Sequence, residues 1–354
     1  MTSITLTMIA RNESRMIARA LNSARPYVDR MVVLDTGSFD ETQDIAMLCG
    51  AEVHHGEWNH DYAQARNTLF DLVQDEWHLI LDADEVIDSR TKVEELRAFV
   101  ATGSAIGMAC ISTEFLSPEG RQRTHQWMPR LIPGHVRFEG RIHEQPSGSH
   151  TLAKARLIIQ HDPIRDENLT FKHERHQRML LEELIKNPAK PALLFHKGLH
   201  HEGEGDWDQA CNAYIAAVEA GAVSHPFAHE LGVRLLHAFS NAGRHAEALS
   251  WAQQIEKTWP ASSDVFFALG NLCLDLAVVE PARAADTWLP SAEAAWQRCL
   301  EIGEASCDSG HVLGRGSFLA ARNLSVLYSS LGQHDPAAQY GELERQQREL
   351  LEAA

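Results

Sequence analysis

Two closely spaced carboxylates are the first feature of this chain that could do chemistry. Asp82 and Asp84 are separated by Ala83 and follow the apolar run 78–81. Such a run is typical of a buried strand, so both carboxylates are expected at a strand end. Carboxylate oxygens suit Mg²⁺ or Mn²⁺, and a metal held there could neutralise a diphosphate as it leaves. Taken alone, the triplet is also compatible with a solvated loop.

The residues around this triplet alternate between β-rich runs and helix-like segments. The predicted strands are 4–9, 31–34 and 78–81, and the predicted helices are 14–24, 41–49 and 62–73. This alternation predicts βαβ units and a parallel sheet covered on both faces. Further predicted strands are 106–112, 128–132, 136–138 and 156–160. We expect this later part to complete the sheet and to form the far wall of a crevice.

Polar residues follow each of the first three predicted strands. They are Ala10-Arg11-Asn12-Glu13, Asp35-Thr36-Gly37-Ser38 and Asp82-Ala83-Asp84-Glu85. Ligands of open α/β sheets bind beyond the carboxyl ends of the strands. The three segments are therefore expected to converge on one crevice rich in carboxylates.

The chain becomes helical from Glu167 and repeats from about residue 191. Tetratricopeptide repeats have a period of 34 residues, with small residues where the two helices cross. Counted from Pro191, the residues that fit this pattern are Gly198, Gly205, Ala210, Tyr214 and Ala217. Three further units use Gly243, Ala248 and Pro260, then Gly270 with an insertion before Trp296, then Tyr328, Gly332 and Ala337. The alternative is a generic helical bundle with an alanine-rich interface.

The composition excludes some classes of protein. The formal net charge is −17, and an acidic surface repels phosphate backbones and anionic lipid headgroups, so nucleic-acid binding is not expected. The sequence also lacks the roughly 18 to 20 successive apolar residues that a membrane span needs. The six scattered cysteines are typical of reduced, buried thiols. We therefore expect a cytoplasmic protein without integral membrane contact.

Four ordered motifs, at 8–13, 33–42, 65–67 and 79–85, together resemble the family 2 glycosyltransferases. More narrowly, the chain resembles members with a tetratricopeptide tail, the group that includes sublancin-type peptide S-glycosyltransferases. The segment 141–145 and His161 also fall where this group has them. The resemblance implies a GT-A, Rossmann-like α/β domain at 1–165, a connecting helix at 166–190 and an all-α, tetratricopeptide-like repeat domain at 191–354.

The resemblance also implies roles for individual residues. Those expected to hold the nucleotide sugar, with its nucleoside and diphosphate, are Ala10, Arg11, Asn12, Glu13, Asp35, Arg66, Asp82, Ala83 and Arg130. Asp84 would bind Mn²⁺ or Mg²⁺ directly, together with Asp82 and His161. Glu144 would be the catalytic base, with His143 beside it. Thr36 departs from the family pattern, in which many members have a second acidic residue at this position.

These roles predict a metal-dependent, inverting transfer from a donor expected to be UDP-linked. A metal and a nearby arginine would stabilise the departing diphosphate, and Glu144 would take the proton of the acceptor. The expected acceptor is a peptide, a protein or a glycan, and the repeats could recruit it or form a homodimer. A different class of function, a repeat scaffold that binds a nucleotide sugar without turnover, is the alternative. A nucleotidyltransferase ranks lower, because the loop 10–13 contains no glycine.

Several of these residues also have simpler interpretations. Glu144 could pair with Arg141 or Arg137 on a surface turn, and Arg66 could be a plain surface charge on an amphipathic helix. His143 and His161 could be structural, since the chain carries 20 histidines.

Overall fold

A computed structural model describes residues 2–103, 105–117, 120–161, 169–304 and 310–353. The chain divides into two compact units, Met1–Glu183 and Leu184–Ala354. The division lies within a helix at Leu169–Lys186, close to the connecting helix expected from the sequence. An α/β unit followed by an all-α unit is the predicted fold class, and this prediction is confirmed.

The strands of the N-terminal unit form one mixed sheet and one short ribbon. They are β1 Ile4–Ala10, β2 Arg30–Asp35, β3 Glu52–His55, β4 Trp77–Ile80, β5 Glu85–Ile87, β6 Ile106–Ser117, β7 Gly120–Pro133, β8 Phe138–Glu139, β9 Gln145–Pro146 and β10 Leu152–His161. Within the unit, the sheet order is β3-β2-β1-β4-β7-β6-β10-β5, and β8 pairs with β9.

The strand directions bring distant segments to the same edge of the sheet. Strands β1, β2, β3 and β4 are parallel, whereas β7 is antiparallel to β4 and to β6. Strand β10 is parallel to β6, so it also runs in the direction of β4. The carboxyl ends of β1, β2, β4 and β10 therefore lie at one edge, which is where ligands bind in such sheets.

Helices cover the sheet on both faces. They are α1 Ile17–Ala24, α2 Thr42–Leu48, α3 Tyr62–Val73, α4 Val93–Thr102 and α5 Leu169–Lys186. On one face, alternate β1 residues such as Leu6 and Met8 pack in one buried cluster with α1 residues such as Ile17 and Leu21. On the other face, α3 packs against β2. The alternation along β1 and the helical spacing on α1 explain why these side chains meet.

Helix α3 has well-defined ends. The Asp61 carboxylate accepts a hydrogen bond from the Gln64 amide at 2.8 Å, and Gln74 ends the helix in the left-handed conformation. This N-cap satisfies a backbone donor that would otherwise have no partner within the helix. The helix therefore begins at Tyr62, the residue predicted from the sequence, and its first turn lies beside the sheet edge that carries the polar loops.

Helical hairpins make up the C-terminal unit. The helices are α6 Pro191–Gly203, α7 Trp207–Glu219, α8 Ala228–Asn241, α9 His245–Thr258, α10 Ser263–Val279, α11 Pro281–Arg283, α12 Leu289–Ile302, α13 Phe318–Ser330 and α14 His334–Ala353. A π-helical turn at Ala284–Trp288 joins α11 to α12. Together with α11 it forms the insertion expected before Trp296. The pairs α6–α7, α8–α9, α10–α12 and α13–α14 are tetratricopeptide-like.

Two glycines allow close contact within these hairpins. A Cβ atom on Gly198 would lie 2.2 Å from the Tyr214 ring, and one on Gly270 would lie 2.4 Å from Trp296 Nε1. Both distances are far below a van der Waals contact, so an alanine at either position would force the paired helices apart. The sequence pattern that placed small residues at the helix crossings thus has a direct steric cause.

The structure also contains elements that the periodicity did not predict. Strands β3 and β5 are only four and three residues long, and helix α4 lies between predicted strands. Strands β6 and β7 extend to 12 and 14 residues because they pair with each other as one long hairpin. Pairing of this kind depends on a distant partner, which the period of a single segment does not report.

Among the described residues, no single helix is both long and apolar enough to cross a membrane. Taken together, Ser263–Val279 and Pro281–Ile302 meet that requirement of length and composition, but they are bent by 117° at the break between them.

Candidate functional site

The loops after β1 and β2 are held together by hydrogen bonds between backbone and side chains. The Asn12 amide donates to Ser38 Oγ at 2.9 Å, and the Glu13 amide donates to Thr42 Oγ1 at 2.7 Å. Asn12 Oδ1 in turn accepts from the Phe39 amide at 3.0 Å. Asn12 has a φ of 56°, a left-handed conformation that is uncommon outside glycine and is often found at functional sites.

Asp35 lies at the end of β2 and is only 1% exposed. Its Oδ1 atom accepts hydrogen bonds from the amides of Gly37 and Ser38, both at 3.0 Å, and from Gln43 Nε2 at 2.9 Å. Its Oδ2 atom is buried and has no hydrogen-bond partner in the described parts of the chain. A buried, unpaired carboxylate oxygen is costly, so this atom is suited to accept from a donor on a ligand.

Thr36, which departs from the family pattern, connects the same two loops. Its hydroxyl donates to the Ala10 carbonyl at 3.2 Å, and its amide donates to that carbonyl at 3.0 Å. Thr36 thus joins the loop after β2 to the last residue of β1. The acidic residue common at this position in the family would introduce a second buried charge beside Asp35.

A buried arginine organises the carboxylates that follow β4. Arg130 Nη2 lies 2.5 Å from Glu85 Oε1 and 3.3 Å from Asp82 Oδ2. Burial lowers the pKa of Arg130, but Glu85 and Asp82 raise it by more, so the guanidinium stays charged. Burial also raises the pKa of Glu85, with the Asp82 and Asp84 carboxylates adding to the rise and Arg130 opposing it. This end of the crevice therefore holds a fixed positive charge among acidic groups.

Asp84 and His161 approach each other across neighbouring strands. His161 pairs with Glu85 in the β10–β5 ladder, and its Nε2 atom lies 3.9 Å from Asp84 Oδ2. Its Nδ1 atom is 3.4 Å from Thr113 Oγ1, a contact that orients the ring. A carboxylate oxygen and an imidazole nitrogen at this separation fit two ligands of a Mn²⁺ or Mg²⁺ ion whose other positions go to water and phosphate. Asp82 Oδ2 lies 3.3 Å from Arg130 Nη2, and its role as a further metal ligand stays a prediction.

Among the described residues, no group of three or more histidine, cysteine, aspartate or glutamate side chains is arranged so that it could hold a metal ion. The two-ligand arrangement of Asp84 and His161 matches hard cations that keep several waters and bind mainly through substrate phosphates. It does not match a closed structural zinc site, which uses four protein ligands.

Glu144 and Arg66 form a buried ion pair, although they are 78 residues apart in the chain. Arg66 donates to Glu144 Oε1 from Nη2 at 2.6 Å and from Nε at 3.1 Å. The side chains are 8% and 14% exposed, respectively. The Arg66 guanidinium also lies 5.2 Å from the centre of the Phe138 ring. The interpretation of Arg66 as a surface charge is therefore wrong.

The surface-turn alternative for Glu144 is also wrong, because both arginines that it named have other partners. Arg141 pairs with Glu182 and Glu183, each at 3.1 Å, and Arg137 pairs with Asp71 at 2.7 Å. Arg66 thus fixes the Glu144 carboxylate beside the crevice rather than on the surface.

His143 has an uncommon backbone conformation next to this carboxylate. Its φ is 53°, and its Nε2 atom lies 3.1 Å from His176 Nε2 on α5. This left-handed conformation is uncommon outside glycine, although histidine adopts it more often than most residue types do.

Sequence reasoning missed two residues of this site, Tyr62 and Glu85. Tyr62 lies one helical turn before Arg66. Burial raises the pKa of its phenol, and the carboxylates of Glu144 and Asp82 raise it further, whereas Arg175 lowers it. Its helical spacing from Arg66 was a signal that could have identified it. Glu85 was part of the predicted polar segment, but its pairing with Arg130 depends on the placement of β7 beside β4.

Comparison with known proteins assigns the N-terminal unit to a family. Residues 5–165 match the family model for glycosyl transferase family 2. A TPR repeat-containing protein of Synechococcus elongatus is 27% identical over 311 residues, which cover 72% of this chain and 75% of that protein. The SPbeta prophage-derived glycosyltransferase SunS of Bacillus subtilis is 26% identical over 206 residues, which cover 55% of this chain and 48% of SunS. The chain thus spans about half the length of SunS.

A solved structure is similar to about half of the chain. MamA from Desulfovibrio magneticus RS-1 is 18% identical, with a TM-score of 0.38, over 49% of this chain and 87% of that one. The catalytic assignment depends on the family match and on the glycosyltransferase relatives. Residues 5–165 are a family 2 glycosyl transferase domain, and the protein is a glycosyltransferase that also carries tetratricopeptide-like repeats.

Proposed function

We propose that this glycosyltransferase moves a sugar from a UDP-linked donor to a peptide, protein or glycan acceptor, with inversion at the anomeric carbon and with help from Mn²⁺ or Mg²⁺. The observation that carries the proposal is the buried Arg66–Glu144 pair at the sheet edge that also bears Asp82, Asp84 and His161. An oriented carboxylate, a metal-ligating pair and buried arginines are the parts that such a transfer needs.

The nucleoside end of the donor would bind at the loops after β1 and β2. The Asp35 Oδ2 atom, which has no hydrogen-bond partner among the described residues, can accept from an N–H group of a base, and Thr36 ties the neighbouring loop Ala10–Glu13 to the end of β2. Uracil has one ring N–H that could donate to such an oxygen, which supports a uridine nucleotide. Because hydrogen bonds to a buried carboxylate are charge-assisted, this contact would favour bases that present a donor.

The diphosphate end would bind where Asp84 and His161 meet. A metal held by these two side chains would neutralise the charge that builds on the departing diphosphate. Arg130 is fully charged and buried nearby, and its Nε atom has no hydrogen-bond partner in the described residues. It can therefore donate to a phosphate oxygen without leaving its contacts with Asp82 and Glu85.

Glu144 would accept the proton of the acceptor nucleophile. Both Arg66 contacts fall on Oε1, so Oε2 takes no part in the described ion pair with Arg66. A carboxylate held on one side by a guanidinium keeps a fixed direction, which general-base catalysis requires. Direct attack by the acceptor in one displacement would invert the anomeric centre.

The helical repeats would recruit or position the acceptor. Stacked helix pairs present extended surfaces that suit a peptide or a partner protein, and they can also pair two copies of a chain. We therefore include acceptor recruitment, or homodimer formation, in the proposal, together with the cytoplasmic location expected from the sequence.

The test is thermal unfolding of the full chain with UDP, GDP, dTDP, CMP or ADP, each with and without Mn²⁺. A nucleotide at about 100 times its dissociation constant stabilises the native state by roughly 2.7 kcal/mol, which shifts the unfolding midpoint measurably. We expect a shift with UDP that requires Mn²⁺, followed by UDP release from UDP-glucose or UDP-N-acetylglucosamine. A shift without any turnover would favour the scaffold alternative, and a shift with another nucleotide would change the proposed donor.

A further inference from the structure

Helix α5 lies beyond residues 5–165 that match the family, yet it contacts the segments around the candidate base. Arg175 Nη2 donates to the Tyr62 hydroxyl at 3.0 Å, and His176 Nε2 lies 3.1 Å from His143 Nε2. Further along the helix, Glu182 and Glu183 accept from Arg141. One helix thus contacts both the start of α3 and the loop that contains Glu144.

The spacing of these contacts defines one face of α5. Positions 175, 176, 179, 182 and 183 recur at three to four residues, which places them on the same side of a helix. Met179 is 2% exposed on this face, whereas Arg178 is exposed on another. The polar contacts therefore belong to a face held against the domain.

The two main contacts involve different neighbours of Glu144. His143 precedes Glu144 in the chain, has the left-handed φ of 53°, and its ring nitrogen Nε2 lies 3.1 Å from His176 Nε2, so this contact restrains the residue next to Glu144. Tyr62 lies one turn before Arg66, the partner of Glu144. The Tyr62 amide also donates to the Arg141 carbonyl at 2.9 Å, which joins α3 to the loop.

Aromatic rings hold the Arg175 side chain in place. Its guanidinium lies 5.3 Å from the centre of the Trp58 ring and 6.0 Å from that of Tyr62, and these two rings meet edge to face at 4.8 Å. Cation–π contacts of this kind restrict a long side chain. Arg175 can therefore hold the Tyr62 hydroxyl in one position beside the crevice.

We propose that Arg175 and His176 of α5 are positioning residues that hold Glu144 in the geometry needed for proton transfer. The inference rests on the proposed function, in which Glu144 is the base. On this proposal, the residues that catalysis depends on include part of helix α5, which lies after the family domain and before the repeats. Arg175 acts through Tyr62 and Arg66, and His176 acts through His143.

The alternative is that α5 only closes the apolar core through Met179 and Leu180, which are both buried. The two views differ in what the polar side chains do. If α5 is only a core helix, removing the Arg175 and His176 polar groups leaves the loop around Glu144 unchanged. If they are positioning residues, the loop loosens while the core contacts of Met179 remain.

The experiment uses the full chain with Arg175→Met and His176→Phe, which keep bulk but remove the polar contacts. Arg175→Lys and His176→Gln are the conservative variants, and Arg178→Met, on an exposed part of the same helix, is the matched control. The first measurement is hydrogen exchange of the segment 140–146. We expect about fivefold faster exchange in the first two variants, partial recovery in the conservative ones, and no change in the control.

The second measurement is Mn²⁺-dependent release of UDP from UDP-glucose or UDP-N-acetylglucosamine, with water as acceptor. For Arg175→Met and His176→Phe we expect kcat to fall about tenfold or more while the donor KM stays within about twofold, because misplacing a base affects the chemical step. A merely structural defect would change the unfolding midpoint and KM together.

The outcomes separate the two proposals. Unchanged exchange at 140–146, or faster exchange with an unchanged kcat, overturns the positioning role even if the enzyme is active. If the wild-type chain releases UDP from neither donor, the proposed function fails, and the exchange data alone then decide whether α5 holds this loop. If Arg175→Met does not fold, Arg175→Lys and His176→Gln give the same comparison with smaller changes.

Discussion

Arg66 donates two hydrogen bonds to one oxygen of Glu144 across 78 residues of sequence, at 2.6 and 3.1 Å. The pair joins helix α3 to the loop before β9, and both side chains are largely buried. A buried ion pair is weak evidence for stability, because desolvation offsets much of the attraction. Its value here is geometric, since it fixes the direction of a carboxylate beside the candidate metal ligands.

Removal of one partner of this pair is expected to destabilise the N-terminal unit. Arg66→Met leaves the Glu144 carboxylate without its partner and should lower the free energy of unfolding by about 3 to 5 kcal/mol. The double variant Arg66→Met/Glu144→Gln should lose less than the sum of the two single variants, because it removes both charges. Urea unfolding of the four proteins measures the coupling, and additive losses would contradict the pairing.

Glu144→Gln is expected to slow transfer strongly while donor binding is retained. The amide is nearly isosteric with the carboxylate and can still accept from Arg66, but it cannot take up a proton. General-base catalysis contributes about 10² to 10⁴ in rate, so kcat should fall within that range. Titration with UDP and Mn²⁺ checks that binding is intact. An unchanged transfer rate would assign the base to another residue.

Asp84→Asn is expected to remove the metal dependence of donor binding. The substitution keeps the size of the side chain but removes the charge that a divalent cation requires. The Mn²⁺-dependent shift of the unfolding midpoint with UDP should disappear, and turnover should fall about a hundredfold or more. Asp88→Asn, which changes a carboxylate outside the crevice, is the control for general loss of charge. Retention of the Mn²⁺-dependent shift would remove Asp84 from the metal site.

His78 predicts a loss of stability in acid. It is fully buried in β4, it stacks on Phe70 with 3.8 Å between ring centres, and neither ring nitrogen has a hydrogen-bond partner among the described residues. Burial lowers the pKa of His78 to about 4, from 6.5 in an exposed histidine. Between pH 6.5 and 4, His78 is protonated in the unfolded chain but stays neutral in the folded chain. The free energy of unfolding is therefore unaffected by His78 above pH 6.5 and decreases as the pH drops towards 4.

The lowered pKa of His78 corresponds to a loss of about 3 kcal/mol in the free energy of unfolding, reached when His78 is protonated in both the folded and the unfolded chain. His78→Leu should be at least as stable as the wild type at pH 7, since an apolar side chain leaves no unpaired nitrogen. Its stability should fall less than that of the wild type between pH 6.5 and 4. Exposed His55→Gln is the control, and equal acid losses in all three proteins would disprove the role of His78.

His311 predicts the opposite pH dependence in the helical unit. Its Nδ1 atom lies 2.5 Å from Asp264 Oδ2 and its Nε2 atom 3.0 Å from Glu304 Oε2, with only 1% of the side chain exposed. Burial lowers the pKa of His311, but these two carboxylates raise it by more, to about 9. The folded form holds its proton more tightly, so the stabilisation is full below pH 6.5 and is lost as the pH rises through 9.

This stabilisation amounts to about 3 kcal/mol. His311→Gln should unfold at a lower midpoint at pH 6, and the difference from the wild type should shrink by pH 10. Thermal unfolding of the full chain at several pH values measures it, with exposed His334→Gln as the control. A difference that stays constant between pH 6 and 10 would show that the imidazolium is not the stabilising species.

The sequence by itself determined the local elements and the class of the enzyme. The predicted helix at 62–73 has the bounds that the structure gives to α3, because its cap and apolar spacing are local signals. The polar residues after β1, β2 and β4 could be assigned to one edge, because the carboxyl ends of parallel strands meet there. The repeat pattern likewise predicted where paired helices cross, because a glycine is required where an aromatic ring approaches the backbone.

Only the tertiary structure decided which charged side chains form pairs. For Glu144, the only partners that the sequence suggested were the arginines at 137 and 141, which were named in the alternative to its role as base, whereas the observed partner is the distant Arg66. In the same way, Arg130 meets Glu85 because β7 lies beside β4, and His176 meets His143 because α5 covers the loop. A charge has many possible partners of opposite sign along a chain, and its pairing depends on the packing of strands and helices that brings one of them within hydrogen-bond distance.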